Sequence, residues 1–189
     1  MGLDSVMLVL EFEKFFEVEI PDRDSEKLRT IKDVADFISG RIRFDNRNID
    51  HKHTLLQQLS AAVCTVYPSV TSISSDQQIY SLVPFEDENA WKRIEEIMKY
   101  ELPSPLLEGR LGKFIEKILP TNTDFKTASV DRFVDRIIVL NYKKILQKGH
   151  LQNRYEIVAG IMGITNEFCG VPPFDMFENS AFVDDLGIS

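Results

Sequence analysis

The chain has 189 residues, 43% hydrophobic and 28% charged, enough to bury a substantial core as one large or two small domains. A net charge of -8 and a pI near 5.0 argue against a nucleic-acid or anionic-membrane surface and in favour of basic protein partners. No apolar run reaches the length of a membrane span and no basic signal-peptide region opens the chain, so the sequence reads as cytoplasmic.

Charge is unevenly spread. Residues 1–40 carry ten acids and five bases and residues 151–189 six acids and one base, while the middle holds fourteen acids and sixteen bases. The two ends therefore form one electrostatic class and the centre another. Cys64 and Cys169 have no ligand-like spacing, and both read as plain thiols.

The first predicted element covers residues 3–16, apolar almost all round, free of Gly and Pro, and stopped where Glu19-Ile20-Pro21 forces an extended exit. Asp22-Arg23-Asp24-Ser25 reads as a turn with a short helix through Leu28. Thr30 caps a helix over 31–38 with Ile31, Val34, Ala35 and Ile38 on one face, ended by Gly40. Residues 41–53 are polar and read as a linker.

Thr54 is the predicted cap of the helix LLQQLSAAVCTVY, with Leu55, Leu59, Ala62, Val63 and Val66 as its stripe and Pro68 as its stop. A Ser-rich loop and an apolar patch at 79–84 follow. Then come three helices: ENAWKRIEEIMKY, closed by Leu102-Pro103; LGKFIEKIL; and a long one over 129–146. The last segment holds the helix NRYEIVAGIMGI, a long Pro-containing loop and the terminal VDDLGIS. No hairpin signal of the Asn-Gly or Asp-Gly type occurs, so the fold class is all-α.

Asp4-Ser5 before an acid-spotted apolar helix, the exit Glu19-Ile20-Pro21-Asp22, and the helix TIKDVADFI resemble the second half of an acyl carrier protein. The helix RYEIVAGIMGI, a long loop and Phe182-Val183-Asp184-Asp185-Leu186-Gly187 resemble its first half. The halves stand in reversed order. The resemblance implies a four-helix carrier-like bundle built from 1–40 with 151–189, a linker at 41–53, and a second helical module over 54–150. The helix at 154–164 must then come from the same molecule or, by exchange, from a neighbour in a homo-oligomer.

The resemblance further implies 4'-phosphopantetheine attached to a serine by a phosphopantetheinyl transferase, with acyl groups held on its thiol as thioesters for basic acyl-transfer or synthase enzymes in fatty acid or polyketide synthesis. Ser5 is the candidate attachment residue, with Asp4 beside it at the helix N-terminus, where a phosphate meets free N–H groups and a favourable dipole. In such carriers the serine stands about one helical turn farther from the exit proline than Ser5 does from Pro21, which puts Gly2 at the family's position. Ser189 is the alternative attachment residue, and an unmodified chain is the other alternative. The plain reading of Asp4-Ser5 is a helix cap.

Met7, Leu8, Glu11, Glu13, Glu17 and Glu19, with Asp22, form the expected docking surface for basic partners, a weak and salt-sensitive contact. Residues 52–110 look carrier-like more faintly, with Pro84 where the serine would stand. They read either as a degenerate module that cannot be primed or as an unrelated helical insert.

His51 and His53, two apart, point away from each other on a helix and suggest no metal site; His150 reads as an exposed helix end. Adjacent acids such as Glu95-Glu96 and Asp184-Asp185 do not face one pocket. No nucleotide-loop, nucleophile-elbow or metalloprotease motif occurs, so the chain is expected not to be an enzyme. The competing expectation is a helical scaffold or interaction protein with a carrier fold and no prosthetic group.

Overall fold

The computed structural model describes residues 3–103 and 127–188. Among them are nine α-helices, one 3-10 turn and two isolated bridges, with no β-strand. None of these helices is long and apolar enough to cross a membrane. The predicted helix at 111–119 lies outside the described residues. The chain divides into two units, residues 1–49 with 141–189 and residues 50–140.

In the first unit, helix α1 (Leu3–Phe16) buries Leu8, Phe12 and Phe16, spaced four apart and so stacked on one face. Each such burial contributes roughly 1.5–3 kcal/mol. The helix ends at Glu17 in the left-handed region (φ 56°). The extended exit is then fixed by the Ile20 N–H, which donates to Glu13 Oε1 at 2.6 Å. After the single turn α2 (Asp22–Ser25), helix α3 (Ile31–Ser39) opens with a capping box: Asp33 N–H donates to Thr30 Oγ1 at 3.0 Å and Thr30 N–H to Asp33 Oδ2 at 2.9 Å. Its buried stripe is Ile31, Val34, Ala35 and Ile38, as the periodicity requires.

The second unit begins with α4 (His51–Val66). Asp50 caps it by accepting from His53 N–H at 2.8 Å, so the cap stands four residues before the Thr54 expected from sequence. Next come α5 (Ile79–Leu82), α6 (Glu88–Met98), capped by Asp87, and α7 (Val130–Leu140). Helix α4 packs against α6 and α7 around Leu59, Ile79, Ile94, Phe133 and Ile137, all fully buried.

The long helix expected over 129–146 is broken at Asn141, whose backbone (φ -109°, ψ 24°) leaves the helical region. Asparagine competes with helical hydrogen bonding through its side chain, and the chain returns to the first unit at this residue.

The first unit resumes with α8 (Tyr142–Ile145) and α9 (Arg154–Cys169). Asn153 caps α9 by accepting from Glu156 N–H at 3.0 Å, and Gly170 (φ 70°) ends it. The helix therefore runs five residues past the expected end at Ile164. Helix α9 packs against α1 and α3 of the same chain, and a 3-10 turn at Pro173–Asp175 follows it. Arg154 ties α9 to α3 through Asp36 at 2.8 Å and to the following loop through Glu178 at 2.5 Å. Residues 41–49 carry no regular structure but pair with the segment before α9: Asp45 N–H donates to Leu151 O at 2.7 Å, and Ile49 N–H to Gln152 Oε1 at 2.5 Å.

Candidate functional site

The loop after α9 docks onto the entry of α3. Ile31 N–H donates to Ser180 O at 3.2 Å, Lys32 N–H to Glu178 O at 2.7 Å, and Phe182 N–H to Arg29 O at 2.9 Å. Beyond Phe182 the Asp-Asp-Leu-Gly stretch coils tightly: Ala181 N–H donates to Asp185 Oδ2 at 2.7 Å, and Ile188 N–H to Phe182 O at 2.8 Å. Gly187 sits at φ 69°, a conformation that costs about 1–2 kcal/mol for a residue with a Cβ.

This loop, the N-terminal half of α1 and the segment before α3 line an open cavity of about 320 Å³. Its apolar walls include Leu8, Val9 and Phe12 of α1, Val34 of α3, and Val183 and Ile188 of the loop. Ser5, half-buried in the first turn of α1, lies on its wall. Glu26, Arg29 and Asp184 bring charge to the same lining.

Asp4 is exposed beside Ser5. Burial, and then the Asp4 carboxylate, push the Cys169 thiol up, so it stays protonated and is a poor nucleophile. This also marks the C-terminal end of α9 as near the N-terminal end of α1. Gly2 and Ser189 lie outside the described residues.

The expected docking residues divide. Met7 is 46% exposed, with Val6 and Leu10 beside it at 42% and 50%. Leu8 is 3% exposed and belongs to the cavity wall rather than the surface, because the buried stripe of α1 runs through Leu8, Phe12 and Phe16. Glu13 is committed to the Ile20 N–H, Glu11 meets Lys14 at 3.5 Å and Glu17 meets Lys148 at 3.2 Å, while Glu19 is exposed. Sequence reasoning missed the cavity residues Val9 and Ile188, whose only signal is apolar character, whereas Val34 is on the face of α3 that the periodicity marks.

Among the described residues no group of three or more His, Cys, Asp or Glu side chains could hold a metal. His53 pairs with Gln57 at 2.9 Å, and His150 lies 3.2 Å from Asp45.

No family model matches the chain, and no solved structure matches it. Among curated proteins it is similar to the acyl carrier protein of Thermosynechococcus vestitus, 52% identical over 41 residues, which are 22% of this chain and 51% of that protein. The acyl carrier protein of Syntrophobacter fumaroxidans is 51% identical over 38 residues, 20% of this chain and 47% of that protein. That of Bdellovibrio bacteriovorus is 53% identical over 40 residues, 21% and 51% respectively. A segment of this chain is thus acyl carrier protein-like, and the chain spans about half the length of the curated relatives it matches.

Proposed function

We propose that residues 1–49 with 141–189 form an acyl carrier protein-like unit whose two halves stand in reversed order, and that it holds acyl groups for delivery to basic partner enzymes in the cytoplasm. The observation that carries this reading is the apolar cavity of about 320 Å³ with a serine hydroxyl on its wall at the first turn of α1. The residues fit a serine-linked 4'-phosphopantetheine in two respects: a phosphate there would meet the free N–H groups and dipole of a helix start, and an acyl chain would find apolar walls in Leu8, Val9, Phe12 and Val34. The group, when bound, supplies the thiol that carries the acyl chain.

This chain's own residues position and shelter. Thr30 and Asp33 fix the entry of α3, Arg29 and Phe182 hold the loop over the cavity, and exposed Met7, Leu10 and Glu19 offer a surface to a basic partner. The unit has no catalytic role of its own in this reading.

A scaffold that keeps the fold without the prosthetic group is the second reading, favoured by the half-burial of Ser5 and its place within the first turn of the helix rather than ahead of it. An intact-mass measurement after incubation with coenzyme A and a broad-specificity phosphopantetheinyl transferase, with Ser5→Ala alongside, separates the two. The carrier gains one phosphopantetheine and Ser5→Ala gains none. A protein that is folded by circular dichroism and gains nothing is the scaffold.

A further inference from the structure

Three backbone hydrogen bonds between a loop and a helix entry recur in the two units. In the second unit Val130 N–H donates to Gln77 O at 2.8 Å, Asp131 N–H to Ser75 O at 2.8 Å, and Ile79 N–H to Ala128 O at 3.1 Å. These are the three bonds that Ile31, Lys32 and Phe182 make in the first, with the same spacing on both strands of the pairing. The isolated bridges follow suit, Thr30 with Ala181 and Ser129 with Gln78.

The caps extend the match. Thr30 accepts from Asp33 N–H and Ser129 from Arg132 N–H at 3.2 Å. Helices α9 and α4 are both 16 residues long, with Asn153 and Asp50 as side-chain caps. The chain leaves α1 through Glu17 (φ 56°), with Ile20 N–H donating to Glu13 before Pro21. It leaves α6 through Lys99 (φ 59°), with Leu102 N–H donating to Glu95 before Pro103.

This register assigns counterparts to the main wall residues of the cavity, and two of them are smaller in the second unit: Leu8 corresponds to Ala90 and Phe12 to Ile94. Val9 corresponds to Trp91, Val34 to Phe133 and, counting along the loop from the matched Phe182 and Ile79, Val183 to Tyr80 and Ile188 to Phe85. Four aliphatic wall residues of the first unit are thus four aromatic residues in the second. Those aromatics form a contiguous cluster: Tyr80 lies 5.5 Å from Phe85 and 5.9 Å from Trp91, and Trp91 lies 5.6 Å from Phe133. Trp91 and Phe133 are buried. Ser5 corresponds to Asp87, whose carboxylate is occupied by the Tyr67 hydroxyl at 2.6 Å and the Ala90 N–H at 3.0 Å.

We propose that the described residues of 50–140 are a second copy of the module made by residues 1–49 with 141–189, with the ligand cavity of the first copy filled in the second by Tyr80, Phe85, Trp91 and Phe133. Each chain then offers one apolar ligand site, in the first unit. The proposal rests on reading that cavity as the ligand site, but not on priming of Ser5.

Decanoate titrated calorimetrically into the full unprimed chain tests it. One decanoate is expected per chain. Val9→Phe with Val34→Phe, which copies the aromatic filling into the first unit, is expected to weaken binding at least tenfold while raising the melting temperature. Trp91→Val with Phe133→Val is expected to raise the stoichiometry to two, and Trp91→Leu with Phe133→Leu replaces that variant if circular dichroism shows it unfolded. No binding by the native chain, two sites in it, or one site retained in a folded second-unit variant overturns the proposal. A chain that binds one decanoate yet gains no phosphopantetheine fails the carrier reading alone.

Discussion

Gly160 of α9 faces the ring of Phe16 of α1 so closely that a Cβ on it would lie 3.0 Å from Phe16 Cζ and 3.2 Å from Phe15 Cε1. Neither ring is free to retreat, since Phe15 and Phe16 stack edge to face at 5.0 Å and Phe15 packs on Tyr142 at 5.1 Å. The helix that closes the first unit is seated by the absence of a side chain.

Substituting Gly160 therefore tests the α1–α9 contact. Overpacking costs about 1–3 kcal/mol, whereas Gly to Ala in a helix interior gains about 1 kcal/mol. Gly160→Ala is expected to be neutral to about 2 kcal/mol destabilising, and Gly160→Val clearly destabilising, by urea unfolding followed through the first unit. A stabilised Gly160→Val would mean that the two helices do not meet here.

Stability of the second unit should depend on pH through Tyr67 and Asp87. The Tyr67 hydroxyl, then the Ala90 N–H, hold the Asp87 carboxyl below the usual carboxylate range. Its contribution is present above about pH 3.9, its unfolded value, and is lost as pH falls through the lower folded one. Burial, then the bond to Asp87, push Tyr67 up to about 12. That contribution is complete below about pH 10 and is lost as pH rises toward 12. Urea midpoints measured across both windows should fall at each end, and Tyr67→Phe should flatten both changes.

The duplicated caps predict parallel losses. Thr30→Ala and Ser129→Ala should each cost about 1 kcal/mol, as read by chemical denaturation with hydrogen exchange at Asp33 and Arg132. Exchange unchanged at either amide would remove that cap from the account.

Gly187 predicts a local loss. With φ 69° and open space around a would-be Cβ, Gly187→Ala should cost about 1–2 kcal/mol by backbone strain alone, with Gly187→Asn costing less because Asn tolerates this region. Thermal melts of the two variants rank them.

Local signals were sufficient for α1, α3 and the Glu-Ile-Pro exit, because caps, prolines and an i, i+3, i+4 stripe are written within a few residues of where they act. They were insufficient for the buried face of α1. Val6, Met7, Leu8, Val9 and Leu10 are all apolar, so no period separates Leu8 inside from Met7 outside. The polar run Thr165-Asn166-Glu167 hid the last turns of α9, although Thr165 is fully buried and bonds back to Ile161 O at 2.8 Å. The aromatic filling escaped notice because Val9 and Trp91, Val34 and Phe133, and Val183 and Tyr80 are related by three different offsets along the chain.

The seating of α9 against α1 also has a consequence for biosynthesis. Residues 154–169 leave the ribosome long after residues 3–16, by roughly 7 to 28 s at 5–20 residues per second. During that interval, in which residues 50–140 are themselves synthesised, Leu8, Phe12 and Phe16 have no α9 to cover them. The first half of the chain must thus wait, with its greasy stripe bare, for the last helix to be translated, and it is in this interval that a holding chaperone would be needed.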